Sequence, residues 1–337
     1  MIKDALAKLA DRTNLSVHEA EEVMSEIMDG AATPAQIAGY LMGLRQKGET
    51  VDEIVGSARV MRSRATRIRV GAQIVVDTCG TGGDGARTFN ISTTAALVVA
   101  GAGITVAKHG NRSISSKSGS ADVLSALGVK IDLMPDRVAD CIDEVGIGFL
   151  FAPLYHGAMK HCAGPRQEMG IRTILNVLGP LTNPAGATHQ VLGVYDAKLT
   201  EILGRVLLQL GSQHCFVIHG MDGLDEITLS DRTKVSEGKG GVVSSYFTAP
   251  EEFDLPRVAR KEFAGGAPMD NARITKDILQ GRKSPKRDIV CLNAAPAMVV
   301  GQKAKTLKEG FRLAQKVIDS GAAAEKLDRL IAYTNKV

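Results

Sequence analysis

The chain has 337 residues, of which 44% are hydrophobic and 23% are charged, and its formal net charge is only +4. These values are ordinary for a soluble globular protein, and the length allows one large domain plus a smaller one. So small a charge does not by itself indicate nucleic-acid binding, and no apolar run reaches membrane-spanning length. Five scattered cysteines without a CxxC pair favour reduced thiols over a disulfide framework or a zinc site. With no signal peptide at the start, we expect a cytoplasmic protein with no membrane partner.

The first seventy residues carry helix signals and no strand pattern. Ser16 with Glu19 has the spacing of a capping box, and Thr50 with Glu53 repeats it. A third helix is indicated where Pro34 follows a threonine. We therefore expect a small all-helical domain at this end of the chain.

From residue 73 the pattern changes to alternating strands and helices. Candidate strands cover 73–77, 104–108, 147–152, 190–196 and 214–220, and candidate helices cover 91–102, 119–128, 135–146 and 198–211. This alternation predicts an α/β fold with a mainly parallel central sheet. Residues from about 155 to 180 read as helical without a strand, and 271–337 is again helical. The predicted domains are a helical one, 1–72, joined by the interval 155–180, and a large α/β domain, 73–154 and 181–337, with a cleft between them.

The segment DTCGTGGDGARTFNIST at 77–93 lies between the first candidate strand and a helix. Its glycines allow the main chain to approach an anion, and the following helix start carries partial positive charge. It lacks the Gly-Lys-Ser/Thr of a Walker loop, and Asp84 fits poorly beside a dinucleotide's pyrophosphate. Asp84 is better explained by a nearby cation or sugar hydroxyl, and the alternative is an ordinary tight turn.

A second polar loop, KHGNRSISSKSGSAD at 108–122, follows the next candidate strand. Cations and hydroxyls at that position suit phosphate oxygens, although an isolated loop of this kind is more often solvated. Because the carboxyl ends of parallel strands meet at one edge of a sheet, both loops open into one crevice. Together they indicate a ligand with phosphates at both ends.

Two further groups of residues suggest chemistry. Asp225 and Glu226 follow the last candidate strand and could hold Mg²⁺ with the Ser92 hydroxyl, although such a pair is usually surface charge. Arg166, with Arg172, could bind a carboxylate from the opposite wall of the cleft; the alternative for Arg166 is an ion pair with Glu168. For His109 and His156 a structural role is the default.

Five motifs in order closely resemble the anthranilate phosphoribosyltransferase family over essentially the whole chain. They are GTGGD at 80–84, NIST at 90–93, KHGNRSISS at 108–116, GIRTILNVLGPLTNPA at 170–185 and HGMDGLDEIT at 219–228. The resemblance implies a homodimer joined through the helical domain. It also implies transfer of phosphoribosyl from phosphoribosyl pyrophosphate (PRPP) to the amine of anthranilate, with release of pyrophosphate, in tryptophan synthesis.

The resemblance assigns site residues position by position. Those expected to contact PRPP are Gly80, Gly83, Asp84, Thr88, Asn90, Ile91, Ser92, Thr93, Lys108, His109, Gly110, Asn111, Arg112, Ser113, Ile114, Ser115, Ser116 and Ser120. Those expected to hold anthranilate are Gly80, Asn111 and Arg166, and those expected to bind Mg²⁺ are Ser92, Asp225 and Glu226. Since an aromatic amine is neutral at physiological pH, no general base is required, and we expect catalysis by positioning and charge stabilisation without a dedicated catalytic residue.

There are two alternative functions, one that of a related enzyme and one from another functional class. A pyrimidine nucleoside phosphorylase shares GTGGD, but the NIST, KHGNR and Asp-Glu motifs argue against it. A nucleic-acid-binding protein on the same scaffold is suggested by the five arginines of RVMRSRATRIR at 59–69. That run is better explained as a helix end and a solvated linker, so a nucleic-acid partner is not expected.

Overall fold

The computed structural model describes residues 1–113 and 117–336. Helices α1 to α4 form the amino-terminal end of the chain, at Ile2–Ala10, Val17–Met28, Pro34–Lys47 and Val51–Arg64. Capping boxes begin α2 and α4 as the sequence predicts, and α3 begins at the predicted Pro34, with a capping box from Thr33 to Gln36 that was not predicted. Helix α1 was not predicted, because its N-cap is Met1 and no side chain caps it.

Three arginines of residues 59–69 bond to other elements of the protein. Arg59 and Arg64 pair with Glu21 and Asp29, respectively, on or beside α2. Arg62 donates to the carbonyl oxygens of Leu181 and Leu210, at 2.6 and 2.8 Å. These contacts attach α4 to the rest of the molecule, so a nucleic-acid-binding role has no support from them.

A seven-stranded sheet forms the centre of the described chain. Its strands β1 to β7 are Val75–Gly80, Thr105–Gly110, Ile147–Phe151, His189–Gly193, His214–Gly220, Thr233–Lys239 and Val242–Thr248. The strand order is β3-β2-β1-β4-β5-β6-β7; β1 to β5 are parallel, and β6 and β7 are antiparallel. The predicted α/β class with a mainly parallel sheet is confirmed. The antiparallel pair was not predicted.

Helices pack on both faces of the sheet. Helices α5 to α15 are Ile91–Gly101, Ser120–Leu127, Pro135–Val145, Ala152–Tyr155, Lys160–Met169, Leu175–Leu178, Leu199–Gln209, Pro268–Leu279, Pro285–Val300, Leu307–Asp319 and Ala322–Thr334. Helices α5 and α13 are buried along most of their length and pack on each other in the main core. None of the described helices is both long and apolar enough to cross a membrane.

The strandless interval packs against the amino-terminal helices. Helix α9 contacts α2 and α3, and Cys162 of α9 belongs to the same apolar cluster as Ile37 and Leu41 of α3. All five cysteines are free and buried. Burial raises the pKa of each thiol, so none is prone to ionise.

The sheet changes its direction of growth at β1. Strands β2 and β3 lie on one side of β1, and β4 and β5 lie on the other. Loops leaving the carboxyl ends of β1 and β4 therefore diverge, and ligands of open α/β sheets bind in the crevice that such divergence creates.

Candidate functional site

The glycine-rich turn starts at this switch point. Gly80, the last residue of β1, pairs with Gly193 of β4. A Cβ added at Gly80 would lie 2.6 Å from Asp225 Oδ2, and one added at Gly193 would lie 1.7 Å from the Asp225 carbonyl oxygen. The loop after β5 thus approaches both strands closely. Gly82 and Gly83 have φ of 62° and 76°, so the tight-turn interpretation accounts for them and close approach accounts for Gly80.

Three carboxylates converge on this turn. Asp225 Oδ2 accepts the Gly82 amide at 2.9 Å, and Glu226 Oε1 accepts the Ser92 amide, in the first turn of α5, at 3.0 Å. Burial and the neighbouring charge of Asp84 raise the pKa of Asp225 to about 7. Burial and the charge of Asp225 raise the pKa of Glu226 well above its ordinary value. The structure thus brings the predicted acidic pair to the start of α5, next to Asp84.

This donor set fits a hard divalent cation. Carboxylate and hydroxyl oxygens are the ligands that Mg²⁺ prefers, and a cation would relieve the repulsion among the buried carboxylates. Within the part of the chain that the structure describes, no three His, Cys, Asp or Glu side chains already form a metal-binding group. Asp225, Glu226 and the Ser92 hydroxyl supply fewer ligands than Mg²⁺ takes, so oxygens of the bound substrate and of water would complete its coordination.

Lys108 lies beneath the turn and not in the exposed loop. It belongs to β2, is 3% exposed, and donates its Nζ hydrogen to the Thr78 carbonyl oxygen. Burial lowers the pKa of Lys108, opposed by the charges of Asp77 and Glu226. The ammonium group is thus a buried cation between β1 and the acidic cluster.

A buried carboxylate supports the start of the second loop. Asp77 accepts the His109 amide at 3.2 Å and the Asn183 side-chain amide at 2.8 Å. Asn183 also donates to the Ala107 carbonyl oxygen at 2.8 Å, which fixes the connector before β4 against β2. Burial raises the pKa of Asp77 to about 6.

The second loop is held by an aspartate that the sequence did not single out. Asp122 of α6 accepts the amides of Gly119 and Ser113 at 2.9 and 3.1 Å, and Arg112 Nη1 at 2.9 Å. Beyond Gly110, the predicted contacts Asn111 and Ser120 lie together, because Ser120 Oγ donates to the Asn111 carbonyl oxygen at 3.3 Å. The predicted contacts Ile114, Ser115 and Ser116 lie outside the described residues.

The residues that follow the glycine turn divide into two kinds. Ile91 and Thr93 are 1% and 3% exposed, so their side chains belong to the core and only their main chain can reach a ligand. Asn90 lies at the crevice end of α5, where its side chain bonds to Ser118 and Asn271. Thr88 pairs with Ala264 in an isolated antiparallel bridge, which holds the turn against the segment before α12.

The strandless interval carries two arginines, Arg166 and Arg172. Arg166 of α9 is partly exposed, its pKa is lowered by burial, and it forms no ion pair with the described residues, Glu168 included. Arg172 donates to the Gly83 carbonyl oxygen and lies over the Tyr195 ring, 4.4 Å from its centroid. This contact connects the strandless interval directly to the glycine turn.

The rings of His109, in β2, and His156, directly after α8, are in contact. Their Nε2 atoms are 3.2 Å apart. Burial, with the neighbouring ring, lowers the pKa of His109 to about 3, and burial lowers that of His156 to about 4. Both rings are therefore neutral at physiological pH.

Comparison with known proteins decides the family. A model described as "Glycosyl transferase family, a/b domain" matches residues 72–324, and "Glycosyl transferase family, helical bundle domain" matches residues 3–65. Anthranilate phosphoribosyltransferase of Moorella thermoacetica is 55% identical over 333 residues, covering 99% of this chain and 98% of the relative. That of Acetivibrio thermocellus is 54% identical over 335 residues, covering 99% and 97%. The chain belongs to the anthranilate phosphoribosyltransferase family.

Solved structures of this family have the same fold. The enzyme from Thermus thermophilus superposes with a TM-score of 0.93 at 42% identity, covering 99% of this chain and 100% of the other. The Saccharomyces cerevisiae enzyme in complex with PRPP and Mg has a TM-score of 0.90 at 27% identity, covering 100% and 98%. The nucleoside phosphorylase alternative is not favoured.

Several residues that shape this phosphoribosyltransferase site escaped the sequence analysis. Asp77, Asp122, Asn183 and Asn271 hold loops that carry predicted contacts. Only Asp122 had a local signal, because its spacing from Gly119 is that of a helix capping residue. The other bonds join segments distant in the chain, which a pattern in one sequence does not show.

Proposed function

We propose that this protein transfers the phosphoribosyl group of PRPP to the amine of anthranilate, giving N-(5-phosphoribosyl)anthranilate and pyrophosphate. The observation that carries the proposal is the glycine turn at the β1–β4 switch point, with buried Lys108 beneath it and Asp225 and Glu226 beside it. Amides, a cation and metal-binding carboxylates together suit a pyrophosphate leaving group.

We propose the substrate contacts expected from the sequence, one set of residues for PRPP and one for anthranilate. In the reaction the amine nitrogen bonds to the anomeric carbon, the bond from that carbon to pyrophosphate oxygen breaks, and the nitrogen loses a proton. Mg²⁺, held by Ser92, Asp225 and Glu226, would neutralise pyrophosphate charge. The amides of the turn orient the leaving group, and Arg166 orients the acceptor through its carboxylate.

The proposal extends to organisation and location. We assign residues 1–72 with the interval 155–180 to one domain and the remainder to the other, because α9 packs on α2 and α3. We propose a homodimer formed through the helical domain, where Met1 and Met42 remain 46% and 47% exposed. Five buried, protonated thiols are consistent with the cytoplasm. Light scattering combined with size exclusion tests the dimer, and a monomer at micromolar concentration would contradict it.

The decisive assay follows the loss of anthranilate fluorescence on adding PRPP, Mg²⁺ and protein. We expect the decay to require all three and to stop when Mg²⁺ is chelated. A parallel assay with uridine or thymidine and inorganic phosphate tests the phosphorylase alternative, and we expect no free base. No fluorescence loss with PRPP, together with base release from a nucleoside, would overturn the proposal.

A further inference from the structure

Two polar pairs join α12 to the first turn of α5. Asn271 Nδ2 donates to Asn90 Oδ1 at 2.9 Å, and one turn further along both helices the hydroxyls of Thr275 and Thr94 are 2.9 Å apart. Asn271 and Thr275 are each 1% exposed. Apolar side chains would pack two helices equally well, so polar residues at both positions call for a reason beyond packing.

The Asn271 pair continues into a chain of bonds with a fixed direction. The Gly266 amide donates to Asn271 Oδ1 at 2.8 Å, which leaves Asn271 Nδ2 to face Asn90 Oδ1. Asn90 Nδ2 is then directed to the Ser118 carbonyl oxygen, at 3.1 Å, while Ser118 Oγ donates to Asn90 Oδ1 at 3.2 Å. Because a backbone amide only donates, it determines the orientation of both side-chain amides.

The last bonds of this series reach Ser118, in the second loop. Ser118 precedes Gly119, whose amide bonds to Asp122, and α6 begins at the next residue. A Cβ on Gly119 would lie 2.7 Å from the Asn111 carbonyl oxygen, so the two ends of the loop are close together. The orientation of the Asn271 side chain therefore determines where Ser118, at the end of the loop, lies relative to Asn111, at its start.

We propose that Asn271 is a positioning residue for PRPP, which acts by orienting Asn90 and thereby fixing the second loop at Ser118. The inference rests on the proposed function, since it assumes that this loop binds PRPP. It assigns to a residue of α12 an indirect effect on PRPP binding, without contact between that residue and the substrate.

Asn271→Asp tests the orientation at constant volume. Its ionised carboxylate still accepts the Gly266 amide, but it turns an acceptor toward Asn90 Oδ1. Asn90 must rotate its amide to donate to it, which sets oxygen against the Ser118 carbonyl. Loss of the bond to the Ser118 carbonyl oxygen, with two oxygens then facing each other, should raise the KM for PRPP and the Kd of magnesium pyrophosphate about tenfold. The KM for anthranilate should rise less than that for PRPP, because Asn111 is the anthranilate contact near Ser118 whereas Arg166 is untouched.

Thr275→Val is the matched control, since it removes the other polar pair between the same helices. It should lower the melting temperature by a few degrees, roughly the effect of one buried hydrogen bond, and leave the KM for PRPP unchanged. Asn271→Ala, which cannot donate in any protonation state, should reproduce the effect of Asn271→Asp on PRPP.

Two results would overturn the positioning role. One is a wild-type KM for PRPP in both Asn271 variants, and the other is an equal rise in Thr275→Val. Failure of the proposed function gives a different result, because the unmodified protein would then neither consume anthranilate nor bind magnesium pyrophosphate.

Discussion

Arg166 and Arg172 belong to the same stretch of chain but differ in what their charges do. Arg172 already donates to Gly83 and stacks on Tyr195, so its guanidinium is used within the protein. Arg166 is partly desolvated and has no carboxylate partner among the described residues. A guanidinium in that condition gains most from a carboxylate that a ligand brings.

Replacing Arg166 by Ala should therefore weaken the binding of anthranilate selectively. We expect the KM for anthranilate to rise about tenfold or more, as for loss of a charge-assisted bond, and the KM for PRPP to change far less. Steady-state kinetics with each substrate varied measures both. Arg205→Ala, at an exposed ion pair with Glu201 on α11, should change neither. Equal rises in the two constants for the Arg166 variant would refute its assignment to anthranilate.

The buried acidic pair should show opposite effects on activity and stability. Asp225→Asn with Glu226→Gln removes the repulsion among Asp84, Asp225 and Glu226, while amide oxygens still accept the Gly82 and Ser92 hydrogens. Turnover should fall roughly a hundredfold or more through loss of charge stabilisation. In EDTA the free energy of unfolding should equal or exceed that of the wild type, as measured by denaturant titration. Normal turnover at ordinary Mg²⁺ would remove the pair from the metal site.

At the scale of secondary structure, prediction succeeded where the signal was local. The starts of α2 and α4 follow from side chains three residues apart in sequence, and that of α3 follows from Pro34 directly after Thr33. Strand β1 was predicted at 73–77 but runs from Val75 to Gly80, because pairing with β4 extends it through Gly80. The hairpin of β6 and β7 was missed, although Gly240 and Gly241, both with positive φ, form the kind of two-residue turn that signals one.

The loop after β5 packs closely on β4, so a substitution in β4 tests whether that loop must stay in place. Gly193→Ala places a methyl group 1.7 Å from the Asp225 carbonyl oxygen, so that loop must move away from the glycine turn. We expect at least about a tenfold loss in kcat/KM for PRPP and a stability loss of about 1–3 kcal/mol.

Gly157→Ala is the matched control for Gly193→Ala. Gly157 has no positive φ, the residue after it is Ala158, and an added Cβ would meet nothing within 4 Å outside its chain neighbours. This variant should keep wild-type activity and stability. Wild-type kinetics in Gly193→Ala would show that the loop tolerates displacement.

At the scale of the molecule, the site could be predicted only as far as chain topology allows. Loops after neighbouring parallel strands must meet, which is why Gly80, Lys108 and Asp225 could be grouped from the sequence. What holds them could not be predicted: Asn183 reaches Asp77 from 106 positions away in the chain, and Asn271 reaches Asn90 from 181. Such bonds depend on how the whole chain packs.

The histidine pair links the sheet to the strandless interval and should shape the pH dependence of stability. His109 and His156 have pKa values of about 3 and 4, below the ordinary value of 6.5. Between pH 6.5 and 4 the unfolded chain binds protons that the folded chain does not, so the free energy of unfolding falls as pH falls.

The test is the double variant His109→Asn, His156→Asn, compared with the wild type by denaturant titration across that pH range. The difference between their unfolding free energies should change by on the order of 5 kcal/mol, because the variant lacks two groups that each contribute about 3 kcal/mol over that range. His18→Asn, at a side chain 78% exposed, is the control and should leave the wild-type profile unchanged. Parallel profiles for the double variant and the wild type would contradict the low pKa values.

The five buried cysteine thiols allow conformational opening to be measured by chemical labelling. An alkylating reagent reacts with thiolate, so labelling must wait until a cysteine leaves its buried position. Cys79 adjoins Gly80 in β1, whereas Cys291 lies within α13 in the main core. Labelling rates at these two positions, resolved by mass spectrometry, distinguish local breathing of the crevice from global unfolding without an added dye.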